Sequence, residues 1–382
     1  MEVRTVRKGL IEFFRKGDML LLLLCLCASG MGLVLIYSAT RYEHDNRYVI
    51  VQAAGIVIGV ILYVLLTLVD LRHLTEQTWW GMLLFNVFIL LALLTPLGRS
   101  AGGNRNWIAI PGFPVNIQPN EIVKLLFVVV LAYQCTILKE KDLLSHPFGV
   151  ISLAVHTLFF AGLNMVISGD YGMSLMYILI FLVMAWCAGV KWWWFALGFG
   201  GTAGVGALLW GHLPSYIQSR VLVIFLRNDP QGIGWQQEHS VMAIGSGGIT
   251  GQGFLQGYQT QQGTIPAQYT DEIFAVCGEE FGMVGCVIML LLLTAIILRC
   301  FWVGRHAASP MTALAAMGYG GMFLCQTLVN IAVCLYVFPV VGLTLPFFSY
   351  GGTSIITLFI AAGIVSGVKA RDLPSWLQDH SG

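Results

Sequence analysis

Asp271 closes a long polar interval, in TDEIFAVCGEEFG, directly before an apolar stretch that begins at Ile273. A carboxylate fixed at a helix start can serve as a general base or hold a cation. Glu272 and Glu279 fall together on a neighbouring face, so Asp271 and Glu279 both project from the outer part of one helix. Carboxylates buried there would have perturbed pKa values. A second charged pair stands in QPNEIVK, where Glu121 and Lys124 lie three apart in the first turn of another apolar stretch. That spacing puts both on one face. A cation near a helix N-terminus opposes the macrodipole, and charge at membrane depth is costly. Such a pair either carries function or locks two helices by its own ion pair, and the spacing leaves both open.

Other residues could bind a charged or polar substrate. Arg105 and Trp107 punctuate the short irregular segment SAGGNRNW. Arg220 and Arg227, the only cations of the long polar interval, could grip a phosphate with two donors each or be ordinary solvated residues. AIGSGGITGQG, which contains Gly247, resembles a phosphate-cradling loop, yet no Gly-Lys-Ser/Thr follows it. Close backbone packing is its competing reading. Gln326 and Asn330 are four apart on one face, where amides commonly link helices. Ser349–Gly352 (SYGG) offers backbone N–H groups for an anion nest. Asp170, in ISGDYGMS between two glycines, reads as a turn residue.

The elements that position these residues follow from composition. The chain has 382 residues, of which 57% are hydrophobic and 10% charged. Soluble domains carry roughly 25% charged residues, so this is an all-α polytopic membrane protein. A span needs about 20 apolar residues, which gives ten candidates near 18–40, 49–69, 79–97, 119–138, 147–168, 171–190, 191–210, 273–302, 309–338 and 347–368. Ten helices put both termini on one side. Thirteen Lys and Arg fall on that side against seven on the other, which makes the termini cytoplasmic. The basic segment 1–17 precedes the first span, read as a retained anchor with no cleavage pattern. Residues 211–272 form a large extracytoplasmic loop between helices 7 and 8, and the whole chain, 1–382, is a single domain. The nine cysteines fall inside or against apolar helices without a CxxC pair, and the eight histidines make no HExxH, so they read as packing residues and not as a zinc site.

Four motifs occur in a shared order: QPNEIVK, DP-x-G-x-G-W-Q followed by AIGSGG-x-x-G-x-G, TDEIFAVCGEE, and P-x-x-G-x-x-LPF-x-SYGG. Together, and over essentially the whole chain, they resemble the SEDS family, the group of RodA, FtsW and SpoVE. NIQP before Glu121 leans towards RodA. The resemblance implies a bundle of about ten transmembrane helices that polymerises lipid II into peptidoglycan glycan strands on the outer membrane face. It implies a role in cell elongation, division or sporulation, and a class B penicillin-binding protein as transpeptidase partner. The family's essential acidic residue falls on Asp271, its helix-start pair on Glu121 and Lys124, and its loop arginine on Arg105. This sequence departs from the family pattern at Glu272, where an aromatic is usual, at IPAQY for LPE-x-H, at SGDYG for Gln-Pro-Asp-Leu-Gly, and at NIA for NIG.

The expected enzyme is therefore a lipid-linked glycosyltransferase of the cytoplasmic membrane, assisted by a divalent cation (Mg²⁺ or Mn²⁺) and without an organic cofactor. Asp271 is the base or the metal ligand, with Glu121 and Lys124 also catalytic. Arg105, Trp107, Arg220, Gly247, Gln326, Asn330 and Ser349 line the substrate site. Two other classes compete: a lipid II flippase, and a scaffold for the penicillin-binding protein. Transporters tend to place charges and broken helices near the midplane, whereas these charges sit at outer helix ends. A scaffold leaves the costly Glu121 and Lys124 without a purpose.

Overall fold

In a bilayer every backbone N–H and C=O must be satisfied within its own segment, so apolar runs of this length fold as helices. The computed structural model describes residues 13–43, 46–101, 104–109, 116–212, 218–219, 222 and 234–371. In chain order the elements are α1 (Met19–Thr40), α2 (Arg47–Thr67), α3 (Leu71–Leu91), β1 (Gly98–Ala101), β2 (Asn104–Ile108), α4 (Pro119–Glu140), α5 (Pro147–Ser168) and α6 (Tyr171–Ala188). They continue with α7 (Trp192–Leu209), α8 (Trp235–Gly247), α9 (Tyr258–Gln262), α10 (Ile273–Arg305), α11 (Pro310–Cys334) and α12 (Gly352–Arg371).

Nine helices among the described residues are long and apolar enough to cross a membrane. The tenth expected span, α7, is helical over 18 residues but falls outside that set. Its three tryptophans and five glycines dilute its apolarity. Contacts at its two sides still require it to cross. Lys191, at its start, donates its N–H to Ser145 beside the start of α5. Gln236, beyond its end, reaches Glu272 at the far end of the bundle. Asp18, before α1, lies 3.5 Å from Lys369, near the end of α12. The described chain thus starts and ends at one face, which an odd number of crossings would forbid.

The most buried helices are α4, α11 and α12, which make the centre, while α2, α3 and α5 turn wide faces outward. Without a hydrophobic force between helices in lipid, close packing needs small residues. Gly55 and Gly59 on α2 accordingly receive Ile355 and Phe359 of α12, and Gly363 rests on the Tyr63 backbone. Asp18 ties the chain-end face together, ion-paired to Arg299 at 2.7 Å and to Lys369. None of the nine cysteines is in a disulfide, and seven are buried.

Three elements differ from the sequence reading. The segment read as irregular around Arg105 is an antiparallel hairpin of β1 and β2, with Arg99 opposite Trp107. Part of the long polar interval is the helix α8, packed along α10 and burying Gln237, Ser240, Ala243 and Gly247. Finally, α10 is broken at Gly282, whose φ of 63° and ψ of −160° are not helical. A break removes the hydrogen bonds of Met283 and Val284 to Glu279 and Glu280. The loop after α8 replaces each one: Gln252 and Gly253 N–H donate to the Glu279 and Glu280 carbonyls, and Met283 and Val284 N–H donate to Gly248 and Ile249. All four freed backbone groups are satisfied, which is what lets a broken helix persist in a buried place.

Candidate functional site

Asp271 stands one residue before Glu272, which occupies the N-cap position of α10. Its carbonyl accepts a hydrogen bond from Asn330 Nδ2 at 2.7 Å, and the same amide donates to the Leu343 carbonyl at 2.7 Å. Asn330 thereby fixes Asp271 against the extended segment 339–343. Gly342 in that segment has φ 67°, and a Cβ there would stand 3.8 Å from Asp271 Oδ2. The Asp271 side chain keeps part of its surface open although protein surrounds it. That burial, then the negative charges of Glu272 and Asp170, push its carboxyl up to about 7.

Asp170 lies on the other side of the same segment, because Gly172 packs against the Val341 carbonyl. Gly169, left-handed at φ 71°, ends α5, and Asp170 then caps α6 by accepting from Met173 N–H. That is the turn role the sequence suggested. Asp170 also accepts from Asn106 Nδ2 at 2.7 Å, so it pins the hairpin over the α5–α6 junction. Ser168 adds a hydroxyl bond to Asn106 Oδ1. Burial raises the Asp170 carboxyl against the lowering effect of these donors, with Glu121 adding a smaller rise. Asn106 was missed in the sequence. The two-residue alternation of NRNW, which separates Asn104 and Asn106 from Arg105 and Trp107, is the signal that could have revealed it.

Arg105 and Trp107 are half-buried on β2. Arg105 donates to the Thr95 carbonyl at 3.0 Å, which holds its guanidinium beside the hairpin's base. Glu121 and Lys124 form the expected ion pair at 2.9 Å, with side chains 4% and 1% exposed. Pro119 opens that helix at its first turn, where its missing N–H is not needed. Glu121 also accepts from Thr357 on α12 at 3.0 Å. Through Thr357 the pair also joins α4 to α12. The ion pair of the second sequence reading is thus present, with the Lys124 ammonium held against Glu121.

Several expected substrate contacts are occupied by the protein itself. The three successive N–H groups of Ser349, Tyr350 and Gly351 donate to Leu345, to Tyr269 and to Gln52 Oε1, so three of the four donors of the expected anion nest are taken. Gln52 completes that hold by donating to the Ser349 carbonyl. Ser349 Oγ accepts from Leu345 N–H and is spent on the same turn. Asn330, too, uses its amide hydrogens on backbone. Gly247 meets the Gly278 and Glu279 carbonyls on α10, leaving no space for a side chain. It packs directly against α10. Gln326 is buried one turn from Asn330, and its Oε1 has no hydrogen-bond partner among the described residues. Arg220 and Arg227 lie outside the described residues.

The other acidic residues serve as anchors. Glu272 accepts from Gln236 Nε2 at 3.0 Å and Ser240 Oγ at 2.7 Å, which fastens α8 to α10. Glu279 accepts from the N–H groups of Gln259 and Thr260 and from the Thr260 hydroxyl, and so holds α9. Among the described residues no group of three or more His, Cys, Asp or Glu converges as a metal cage. Asp271, whose carboxylate oxygens accept no hydrogen bond among the described residues, has both oxygens available for a cation. That donor set suits Mg²⁺, which binds through one or two carboxylates together with substrate phosphates.

The profile of the cell cycle protein family FtsW/RodA/SpoVE matches residues 18–372. Stage V sporulation protein E of Bacillus subtilis is 31% identical over 360 residues, covering 92% of this chain and 96% of that protein. A protein of Trichlorobacter lovleyi, named probable peptidoglycan glycosyltransferase FtsW, is 32% identical over 368 residues, covering 92% and 93%. Among solved structures, a peptidoglycan synthase complex described as coordinating polymerization and crosslinking contains a chain with TM-score 0.79. It is 27% identical, and the match covers 94% of this chain and 98% of that one.

Proposed function

The chain belongs to the FtsW/RodA/SpoVE family, and from that membership we propose that it is a peptidoglycan glycosyltransferase polymerising lipid II on the outer face of the cytoplasmic membrane. The observation that carries the chemistry is Asp271: a partly open carboxylate, clamped through its carbonyl, with its carboxyl raised to about 7.

In glycan polymerisation a sugar hydroxyl attacks an anomeric carbon and a polyprenyl diphosphate leaves. Asp271, its carboxyl raised to about 7, takes the hydroxyl proton as the new C–O bond forms. The electron pair of the broken C–O bond departs with the diphosphate. A base whose pKa lies near the working pH combines adequate ionisation with adequate driving force. Arg105 supplies positive charge from the hairpin. Glu121 and Lys124 act from beneath, holding α4 to α12 so that the site keeps its shape. In the alternative reading Asp271 would hold a divalent cation together with the substrate's phosphates, and that cation would supply neutralising charge to the leaving group.

The excess of Lys and Arg at the face where Asp18 meets Lys369 supports the reading of cytoplasmic termini, with Asp271 outside. A class B penicillin-binding protein as partner fits the solved neighbour, which is described as joining polymerization to crosslinking. A transporter is disfavoured by the break at Gly282, since the backbone groups that transporters offer to substrates are all taken up by the 248–253 loop.

The test is purified protein with lipid II in detergent, without a membrane gradient. The proposal expects glycan polymer from the parent and none from Asp271→Asn. Absence of polymer from a folded, partner-loaded preparation of the parent would remove it.

A further inference from the structure

At the face opposite Asp271 two cavities lie side by side, and together they have the profile of one phospholipid molecule. The separation from the catalytic end is set by α4, whose 22 residues span about 33 Å between Pro119 and Glu140. The first cavity, about 540 Å³, is lined by Lys139, Asp142, Ser145, His146, Gly189 and Lys191. Neither lysine makes an ion pair among the described residues, and both are exposed. Two ammonium groups against one carboxylate leave the cavity with a single net positive charge. His146 Nδ1 accepts from Phe148 N–H, so the neutral ring carries its proton on Nε2 as a donor.

The second cavity, about 410 Å³, is a groove between α5, α6 and α7 with an almost wholly apolar lining, including Val150, Ala185, Val190, Trp194 and Gly198. The two adjoin along the chain. Val190 lines the groove and Lys191 the cationic cavity. Trp194 Nε1 donates to the Ser145 carbonyl at 3.0 Å and so joins groove and cavity. Trp193 and Trp194 stack at 4.1 Å, as indoles do at the level of lipid headgroups.

We propose that this pair of cavities binds an anionic phospholipid of the cytoplasmic leaflet, its phosphate between Lys139 and Lys191 and one acyl chain in the groove. The inference goes beyond the glycosyltransferase reading and does not depend on it. A soluble phosphate would need only the first cavity, and a neutral lipid only the second. The adjacency of both selects a molecule with a charged head and an apolar tail. Attraction of one positive charge to anionic lipid corresponds to about a fivefold preference, so a cavity with a single net positive charge favours anionic over zwitterionic lipid by about fivefold.

The test is competition between phosphatidylglycerol and phosphatidylcholine for the purified full chain in detergent, with bound lipid counted by native mass spectrometry. The parent should retain one phosphatidylglycerol preferentially. Lys139→Gln with Lys191→Gln should abolish the preference, and both positions are exposed enough that folding is unaffected. Gly198→Phe should expel either lipid, because a Cβ at Gly198 meets no atom within 4 Å and the new ring enters the groove. An unchanged preference in the double variant would overturn the headgroup assignment. Retention of lipid by Gly198→Phe would overturn the tail groove. Displacement of phosphatidylglycerol by inorganic phosphate alone at equal concentration would make the cavity a soluble-anion site and end the lipid proposal.

Discussion

Asn330 holds Asp271 by its backbone: the Asn330 amide donates at 2.7 Å both to the Asp271 carbonyl and to the Leu343 carbonyl. One side chain thus joins α11, the start of α10 and the segment 339–343 around the acidic site. Replacing it by Leu strips the Leu343 carbonyl of its amide donor and leaves the Asp271 carbonyl only the weak Cys334 thiol, at about 1–3 kcal/mol each. Asn330→Leu should lower the unfolding temperature and reduce the polymerisation rate at least tenfold. Measured lipid II affinity should change little, since the amide faces backbone. A large loss of affinity with unchanged rate would instead make Asn330 a substrate contact.

Asp271→Asn should abolish polymerisation, as loss of a general base removes about 10²–10⁴ in rate. The raised carboxyl adds a stability signature. The folded group titrates at about 7 and the unfolded one near 3.9, so between those values the native state binds more protons. Stability of the parent therefore falls as pH rises from about 4 to about 7. Above pH 7 the Asn variant should be the more stable protein, by at most about 4 kcal/mol. At pH 4 the two should unfold alike. An Asn variant less stable than the parent at pH 8 would contradict this placement of the carboxylate.

Breaking the Glu121–Lys124 pair from one side strands a buried charge, a change worth about 3–5 kcal/mol. Lys124→Met and Glu121→Gln should each destabilise the protein, and the double variant should recover much of the loss. Recovery of polymerisation together with stability in the double variant is the expected result for a lock between α4 and α12. A stable but inactive double variant would show that Lys124 serves the reaction directly.

Gly247→Leu should fail by unfolding. Its Cβ would run into the Gly278 and Glu279 carbonyls on α10, so the α8–α10 contact cannot close. The unfolding temperature should fall in parallel with activity. Read as part of a substrate roof, the same position would lose activity at constant stability, and the melting curve separates the two outcomes.

The helices were legible in the sequence because each apolar run satisfies its own backbone and its length is fixed by the bilayer. Asp271 before Ile273, and Glu121 three residues before Lys124, were legible for the same local reason: helical spacing decides what shares a face. Even α7, whose glycines and tryptophans weaken it as a span, stood out by position. Tertiary structure alone decided what the other polar groups do. The SYGG turn looks like an open nest until Gln52 and Tyr269, 299 and 81 residues away in sequence from Gly351 and Tyr350, arrive to take two of its donors. Gly282 looks like one more small residue on a helix until the 248–253 loop takes over the bonds that its φ of 63° gives up. Asn106 is one polar residue among several until the hairpin register carries it to Asp170. A backbone donor or acceptor has no identity in the amino-acid code, so whether it is free for a ligand or already satisfied is settled only when distant segments meet.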